Sequence, residues 1–169
     1  DFVDTHLIPK ISLNTKNVIR MRTFSKAYGM AGLRVGYAIG EKELILNFEK
    51  IRNHFGMSRI SQVGALAALE DYEFISDVIN KVKLSKNRIA EITNNNNCKF
   101  IPSFTNFVAI DCLKDSKFAK KVLENLINNG VFVRMPYSYP ENRCIRVTVG
   151  LDKDIDLFEK YFPIALKES

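Results

Sequence analysis

The run Thr23-Phe-Ser-Lys-Ala-Tyr-Gly-Met-Ala-Gly-Leu-Arg-Val-Gly36 gathers groups that could do chemistry. Four of the eight glycines in the chain, Gly29, Gly32, Gly36 and Gly40, fall inside this stretch or just beyond it. Small residues let a backbone turn sharply and approach a ligand closely. Ser25 and Arg34 could bind a phosphate through a hydroxyl and a guanidinium fork. Lys26 lies between them. Held there, partly desolvated and beside a cation, its amine would have a lowered pKa and would be nucleophilic enough to form a Schiff base. A Ser-Lys pair alone carries no such meaning, because most lysines are solvated surface groups. The glycine pattern around it is what makes the stretch specific.

These groups need elements to hold them. Asn17–Thr23 reads as a short strand ending just before Lys26, and Val35–Ile39 as a second, mostly apolar strand of the kind buried in a parallel sheet. Glu41–Ile51 and Ser61–Asp71 read as helices, with Ser61 as the cap of the second. Tyr72–Thr93 is the longest helical pattern, with Ile75, Ile79, Val82, Ile89 and Ile92 at helical spacing. Its length suits a connector between two layers. Asn94–Asn97 is a polar run at an element boundary. Beyond it the pattern restarts, with Asn106–Ile110 as a strand and Ser116–Asn128 as a helix that shows Phe118, Val122 and Leu126 on one face. Gly130 is the stop signal of that helix. Val131–Arg134 and Cys144–Val149 read as strands, and Asp152–Leu166 as a closing helix with Ile155, Phe158, Phe162 and Leu166 inward. The order after residue 98 is that of a small α+β unit.

Composition narrows the classes. The chain has 169 residues, 46% apolar and 26% charged, which is ordinary for a soluble globular protein and argues against disorder. No apolar run approaches the ~20 residues of a membrane-spanning helix, and the acidic start DFVDTHLIPK is no secretory signal. Lys and Arg outnumber Asp and Glu by 25 to 19, giving +6. The excess is scattered rather than clustered, so it reads as a generic basic surface. A nucleic-acid-binding domain would show clustered cations with interleaved aromatic residues. Cys98, Cys112 and Cys144 are far apart and lack metal-ligand spacing, so no metal site is expected. Cys112 and Cys144 lie in apolar strand-like runs, where a free cysteine packs as a small hydrophobe. Reduced thiols fit a cytoplasmic protein.

The run T-F-S-K-A-Y-G-M-A-G-L-R-V-G resembles the Schiff-base lysine signature of fold-type I pyridoxal-phosphate enzymes. More narrowly, it resembles the class II aminotransferases and the histidinol-phosphate aminotransferase group. The resemblance implies that Lys26 carries pyridoxal 5'-phosphate as an internal aldimine and then shuttles the proton between substrate α-carbon and cofactor. It implies that Ser25 and Arg34 hold the cofactor phosphate. It continues in Ala65–Asp71 (ALAALED), in Thr105-Asn-Phe-Val108, and in Cys144-Ile-Arg-Val-Thr-Val-Gly150. In that last strand Arg146 matches the arginine that clamps the substrate α-carboxylate, a task suited to a bidentate guanidinium. Arg134, in VFVRMP, is similar to a position near the substrate's distal group. Arg59 would reach toward the cofactor phosphate of a neighbouring subunit. Tyr28, Tyr37 and His54 read as packing residues, and Arg22 is assigned no role.

The implied fold is α/β. Residues 1–93 would be the C-terminal part of a large, mostly parallel cofactor-binding domain with a connecting helix, and residues 94–169 a small C-terminal α+β domain. The implied protein is a cytoplasmic homodimer of amino acid biosynthesis that acts on small amino acid and keto acid substrates. It would move an amino group between an amino acid or amino-alcohol phosphate, histidinol-phosphate-like, and 2-oxoglutarate, with neither nucleic acid nor membrane as partner. Family members are about twice as long, so the chain is expected to be a piece of a longer protein, inactive alone. The pyridinium-pairing Asp, the ring that stacks on the cofactor and a glycine-rich phosphate turn would lie upstream. Two other readings stand beside this one: a lyase of the same fold, similar to threonine-phosphate decarboxylase, and a non-enzymatic basic binding domain.

Overall fold

The computed structural model describes residues 1–169, the side chain of Thr5 excepted. Two compact units form, one of Asp1 and Val3–Val78, the other of Phe2 and Ile79–Ser169. The division falls inside the long helix rather than at the Asn94–Lys99 turn. Ile89 and Ile92 explain this, because both are buried in the core of the second unit and tie the helix's later turns to it. Among the described residues no helix is long and apolar enough to cross a membrane.

In the first unit, β1 (Ile19–Thr23) pairs with β2 (Gly36–Gly40) from Ile19 opposite Gly40 to Thr23 opposite Gly36. The pairing is antiparallel, which corrects the parallel arrangement expected for these two strands. The intervening residues 24–35 hold only a 3-10 turn at Ala31–Leu33, and a parallel return needs a crossover connection, usually a helix. Helices α1 (Lys42–Ile51) and α2 (Arg59–Glu70) follow. The cap of α2 is Ser58, whose hydroxyl accepts the Ser61 amide at 3.1 Å, so Ser61 sits in the first turn instead of capping it. The core of this unit is small: Phe24, Val35 and Ala65 are buried, with Tyr28, Met30, Leu33, Tyr37 and Ala68 packed against them.

The second unit begins in α3 (Tyr72–Asn95) and centres on an antiparallel sheet of β3 (Lys99–Ile101), β4 (Phe107–Asp111) and β5 (Cys144–Thr148), in that order. Strand alternation gives this sheet two faces. Val108, Ile110, Ile145 and Val147 point into a core completed by α4 (Ser116–Asn128), α5 (Asp152–Lys167) and the Ile89–Ile92 turn of α3. Gly130 ends α4 in the left-handed region at φ +80, with the Val131 amide donating back to Leu126 O at 2.9 Å. The strand expected at Val131–Arg134 is not formed. Only Arg134 bridges to the sheet, and beyond it Pro136 lacks the N–H that would carry the ladder further toward Cys144. β3 was not anticipated, since three residues are too few to show alternation.

The three cysteines are buried and reduced, as their apolar settings imply. Burial, reinforced by the neighbouring Cys98 and Cys144 sulfurs, pushes the Cys112 thiol from 9.0 up to about 12. Burial raises Cys98 and Cys144 as well. The folded chain therefore keeps these thiols protonated at a pH where the unfolded chain ionises them. That stabilisation is complete below pH 9 and is lost as the pH climbs toward 12. Denaturant midpoints measured across that range are expected to fall steeply, and a C112S variant should lose less than the parent over the same interval. Equal losses would show that Cys112 does not carry the effect.

The first unit leaves much apolar surface in solvent, with Met21 75% and Phe55 94% exposed beside Ile60, Val63 and Leu66. Exposure of this kind promotes association. A polypeptide of these 169 residues alone is expected to self-associate in sedimentation velocity at micromolar concentration, and a single monomeric boundary would contradict it.

Candidate functional site

The loop between β1 and β2 is built from its ends inward. The Phe24 amide donates to Val35 O at 3.2 Å, which carries the strand register one pair past Thr23 and Gly36. Ser25 and Arg34 are the next positions across the loop. The Met30 amide then folds back to Phe24 O, and the Gly29 amide to Lys26 O, both at 2.9 Å. Gly29 makes this turn at φ +68, a conformation glycine adopts without the strain a side chain brings. Phe24 and Ala27 are buried, Phe24 with its ring 4.9 Å from Tyr28 and 5.7 Å from Tyr37. Anchoring on both sides turns Ser25 and Lys26 outward. Tyr28 and Tyr37 thus serve packing, as expected from their setting.

Helix α2 supports the far side of the loop. The Ser61 hydroxyl donates to Leu33 O at 2.7 Å. At Gly64 a β-carbon would meet Met30 Cε at 3.2 Å and Leu33 Cδ1 at 3.3 Å, so the missing side chain sets how closely helix and loop pack. Arg34 ends the 3-10 turn in the left-handed region, φ +50, a costly place for a non-glycine residue. Its Nη1 donates to Ala31 O at 2.8 Å, and among the described residues its other guanidinium donors have no hydrogen-bond partner. Lys26 is exposed and Ser25 half-buried. The partial desolvation expected for Lys26 is therefore not supplied within these residues, because the turn presents it on the outer side of the loop. Arg22 pairs with Asp1. Arg59 is exposed at the first turn of α2, and exposed His54 lies edge-on to Phe55 at 5.4 Å.

Arg146 and Arg134 belong to the second unit, and the structure brings them together. Arg146 faces Ala109 on one side of β5. On the other side it exchanges both backbone hydrogen bonds with Arg134, at 2.6 and 3.1 Å. Directly opposed residues of this kind send their side chains to one face of a sheet. Here that is the face opposite the core. Neither arginine has a carboxylate partner among the described residues, and Arg146 Nε is buried with no hydrogen-bond partner. Two like charges held across a bridge repel, and an anion between or beside them relieves the repulsion. The Arg146 guanidinium lies over the Phe107 ring at 5.0 Å, and that of Arg134 over Phe132 at 5.8 Å. Reading the sequence did not single out Phe107. Its signal was there in the NFVAI alternation, which puts Phe107 on the same strand face as Ala109.

Known proteins resemble the chain along most of its length. A family model described as aminotransferase class I and II matches residues 2–157. A histidinol-phosphate aminotransferase of Aliarcobacter butzleri is 39% identical over 145 residues, covering 85% of this chain and 39% of the relative. The crystal structure of histidinol-phosphate aminotransferase from Sinorhizobium meliloti, in complex with pyridoxal-5'-phosphate, superposes with a TM-score of 0.87 at 43% identity. That match covers 92% of this chain and 43% of the other. L-threonine-O-3-phosphate decarboxylase from Porphyromonas gingivalis shares the fold, with a TM-score of 0.75 at 18% identity over 91% of this chain and 48% of its own. The chain spans about 40% of the length of the curated relatives it matches.

Gly36 is where the loop is least tolerant. A β-carbon there would lie 2.6 Å from the Arg22 carbonyl oxygen, inside the strand pair that sets Ser25 against Arg34. Gly36→Ala is expected to cost ~1–3 kcal/mol, the usual range for overpacking a tight site. Urea unfolding of the full-length protein measures it, and an unchanged midpoint would show that the strand pair gives way freely.

Proposed function

The chain belongs to the class I and II aminotransferases, and we propose that it forms the lysine-bearing part of a pyridoxal-phosphate-dependent aminotransferase of the histidinol-phosphate type. What supports this reading is the β1–β2 loop, which is closed by the Phe24–Val35 hydrogen bond and carries the Ser25 hydroxyl, the Lys26 amine and the Arg34 guanidinium within one short segment. That donor set suits a ligand with a phosphate at one end and a carbonyl at the other. Gly29 and Gly32 leave open space around it, with no heavy atom within 4 Å of where a β-carbon would stand on either.

In this reading Ser25 and Arg34 hold the cofactor phosphate, and Lys26 Nζ holds the cofactor covalently. When bound, pyridoxal phosphate supplies an electron sink for the substrate α-carbon. Lys26, released, moves the proton at that carbon. Arg146 receives the α-carboxylate of amino acid and keto acid substrates through its planar fork, and Arg134 faces the distal phosphate of a histidinol-phosphate-like donor. The amino acceptor is 2-oxoglutarate. Two arginines without carboxylate partners on one sheet face fit ligands that bring one or two anionic groups, such as a phosphate-bearing donor or a dicarboxylic acceptor. Residues 1–93 act as part of the large cofactor-binding domain and residues 94–169 as the small domain. The working protein is a homodimer in the cytoplasm.

Two substitutions in the full-length protein test this. Lys26→Ala should remove the visible absorbance of the protein-linked cofactor and lower transamination by about 10²–10⁴-fold, the usual worth of a positioned acid–base group. Arg146→Ala should raise KM for 2-oxoglutarate on the order of 100-fold, as expected when hydrogen bonds to a charged group are lost. A cofactor band that survives Lys26→Ala would overturn the assignment, as would carbon dioxide release in place of amino transfer.

A further inference from the structure

We propose that Phe107 is a positioning residue for Arg146, holding the guanidinium over its ring so that the fork meets a carboxylate already in place. The proposal rests on the reading of Arg146 as the carboxylate ligand. It starts from the sheet register. Ala109 stands opposite Arg146, and Phe107 stands opposite Thr148, so Phe107 and Arg146 are diagonal neighbours on one face. Diagonal positions lie within reach of aromatic and long side chains. Ala109 is small, and the arginine stem can lean past it, which accounts for the 5.0 Å approach of the guanidinium carbon to the ring centroid.

The backbones of both residues are fixed. Arg146 exchanges both of its backbone hydrogen bonds with Arg134, and it stands opposite Ala109 of β4 in the strand register. The carbonyl of Phe107 accepts the Thr105 hydroxyl at 3.0 Å, and the neighbouring Asn106 carbonyl accepts the Val149 amide at 2.9 Å. What remains free is the arginine side chain, a long and rotamer-rich group. No protein acceptor restrains it, since among the described residues none of its donors is paired and Nε is buried unpartnered. The Phe107 ring face lies against the guanidinium, and its quadrupole attracts the cation without consuming a donor. A carboxylate or hydroxyl in the same place would occupy the fork that the substrate needs. An aromatic ring orients the group without taking up any of its N–H donors.

Calorimetric titration of the intact, cofactor-stripped protein with glutarate, a non-reacting dicarboxylate, tests this apart from turnover. Phe107→Leu should weaken glutarate binding about 3- to 30-fold, the span of measured cation–π contacts. Phe107→Tyr, which keeps the ring face, should restore it. Because Phe107→Leu could also disturb folding, fluorinated phenylalanines at position 107 give a second series of nearly constant shape. Affinity should fall stepwise as fluorine drains the ring face. A flat fluorine series, or a Tyr variant as weak as Leu, would overturn the role of Phe107. Stripped wild-type protein that rebinds pyridoxal phosphate yet binds no glutarate would instead overturn the carboxylate reading of Arg146, and this proposal with it.

Discussion

Much of the first unit hangs on a single register. The β1–β2 pairing, carried one step further by the hydrogen bond from Phe24 to Val35, decides which residues face each other at the loop mouth. A slip by one residue would turn every side chain to the opposite face. Phe24 would leave the core that it shares with Val35 and Ala65, and the ends of the loop that carries Ser25, Lys26 and Arg34 would no longer be fixed. Three features resist that slip. Phe24 fills the small core between Tyr28 and Tyr37. Gly36 allows the strands to close on the Arg22 carbonyl, and Ser61 fastens the far turn to α2. The left-handed backbone of Arg34 is the cost of the arrangement. Strained non-glycine residues persist where surrounding structure over-determines them, and here the strain falls on a residue with a proposed ligand-holding role.

The second unit divides its sheet differently. One face of β4 and β5 is apolar and fully covered, which makes the strands rigid. The other face carries Phe107, Ala109 and Arg146, with Arg134 attached at the edge by a single bridge. A sheet that buried both faces would have to desolvate two arginines, and burying unpaired charge is expensive. Keeping that face for cations is thus compatible with stability only because the opposite face does the holding. The cis Tyr139–Pro140 peptide and the loop from Pro136 to Glu141 separate Arg134 from the strand it bridges, so the two arginines meet through backbone pairing of segments that are not consecutive.

How far the sequence announced this differs by element. Ser116–Asn128 is found with the bounds its apolar stripe and Gly130 imply, because a helix of several turns repeats its signal often enough to be located. The chemical loop was legible through glycine density and the spacing of Ser25, Lys26 and Arg34. Strand direction was not. A short apolar run looks alike in parallel and antiparallel sheets, and only the length of the connection between β1 and β2, which lacks a helix, distinguishes them. Ser58 and Ser61 both qualify as caps by residue type, and the choice depends on which hydroxyl reaches an amide. Phe107 stayed hidden because its relation to Arg146 exists only through the register of two strands far apart in the chain. Likewise nothing local in Val131–Val133, a strand-like triplet, reveals that it stays outside the ladder.

The distribution of ion pairs gives the net charge of +6 a different meaning from the one composition suggested. Scattered basic residues read as a generic solvated surface, yet they separate into two groups once partners are known. Arg22, Arg52, Arg88 and Arg143 each meet a carboxylate, Arg88 meeting three. Arg20, Arg34, Arg59, Arg134 and Arg146 have no carboxylate partner among the described residues, and the three arginines with proposed ligand roles are among these. A guanidinium committed to an internal carboxylate cannot also offer its fork to a substrate, so structural and ligand-binding arginines must be different residues. Asp111, the acidic side chain on the sheet face of Arg146, is itself paired with Arg143. In their proposed roles, Arg34, Arg134 and Arg146 contribute to the excess positive charge as cations reserved for anionic ligands, beside the scattered cations of a generic basic surface.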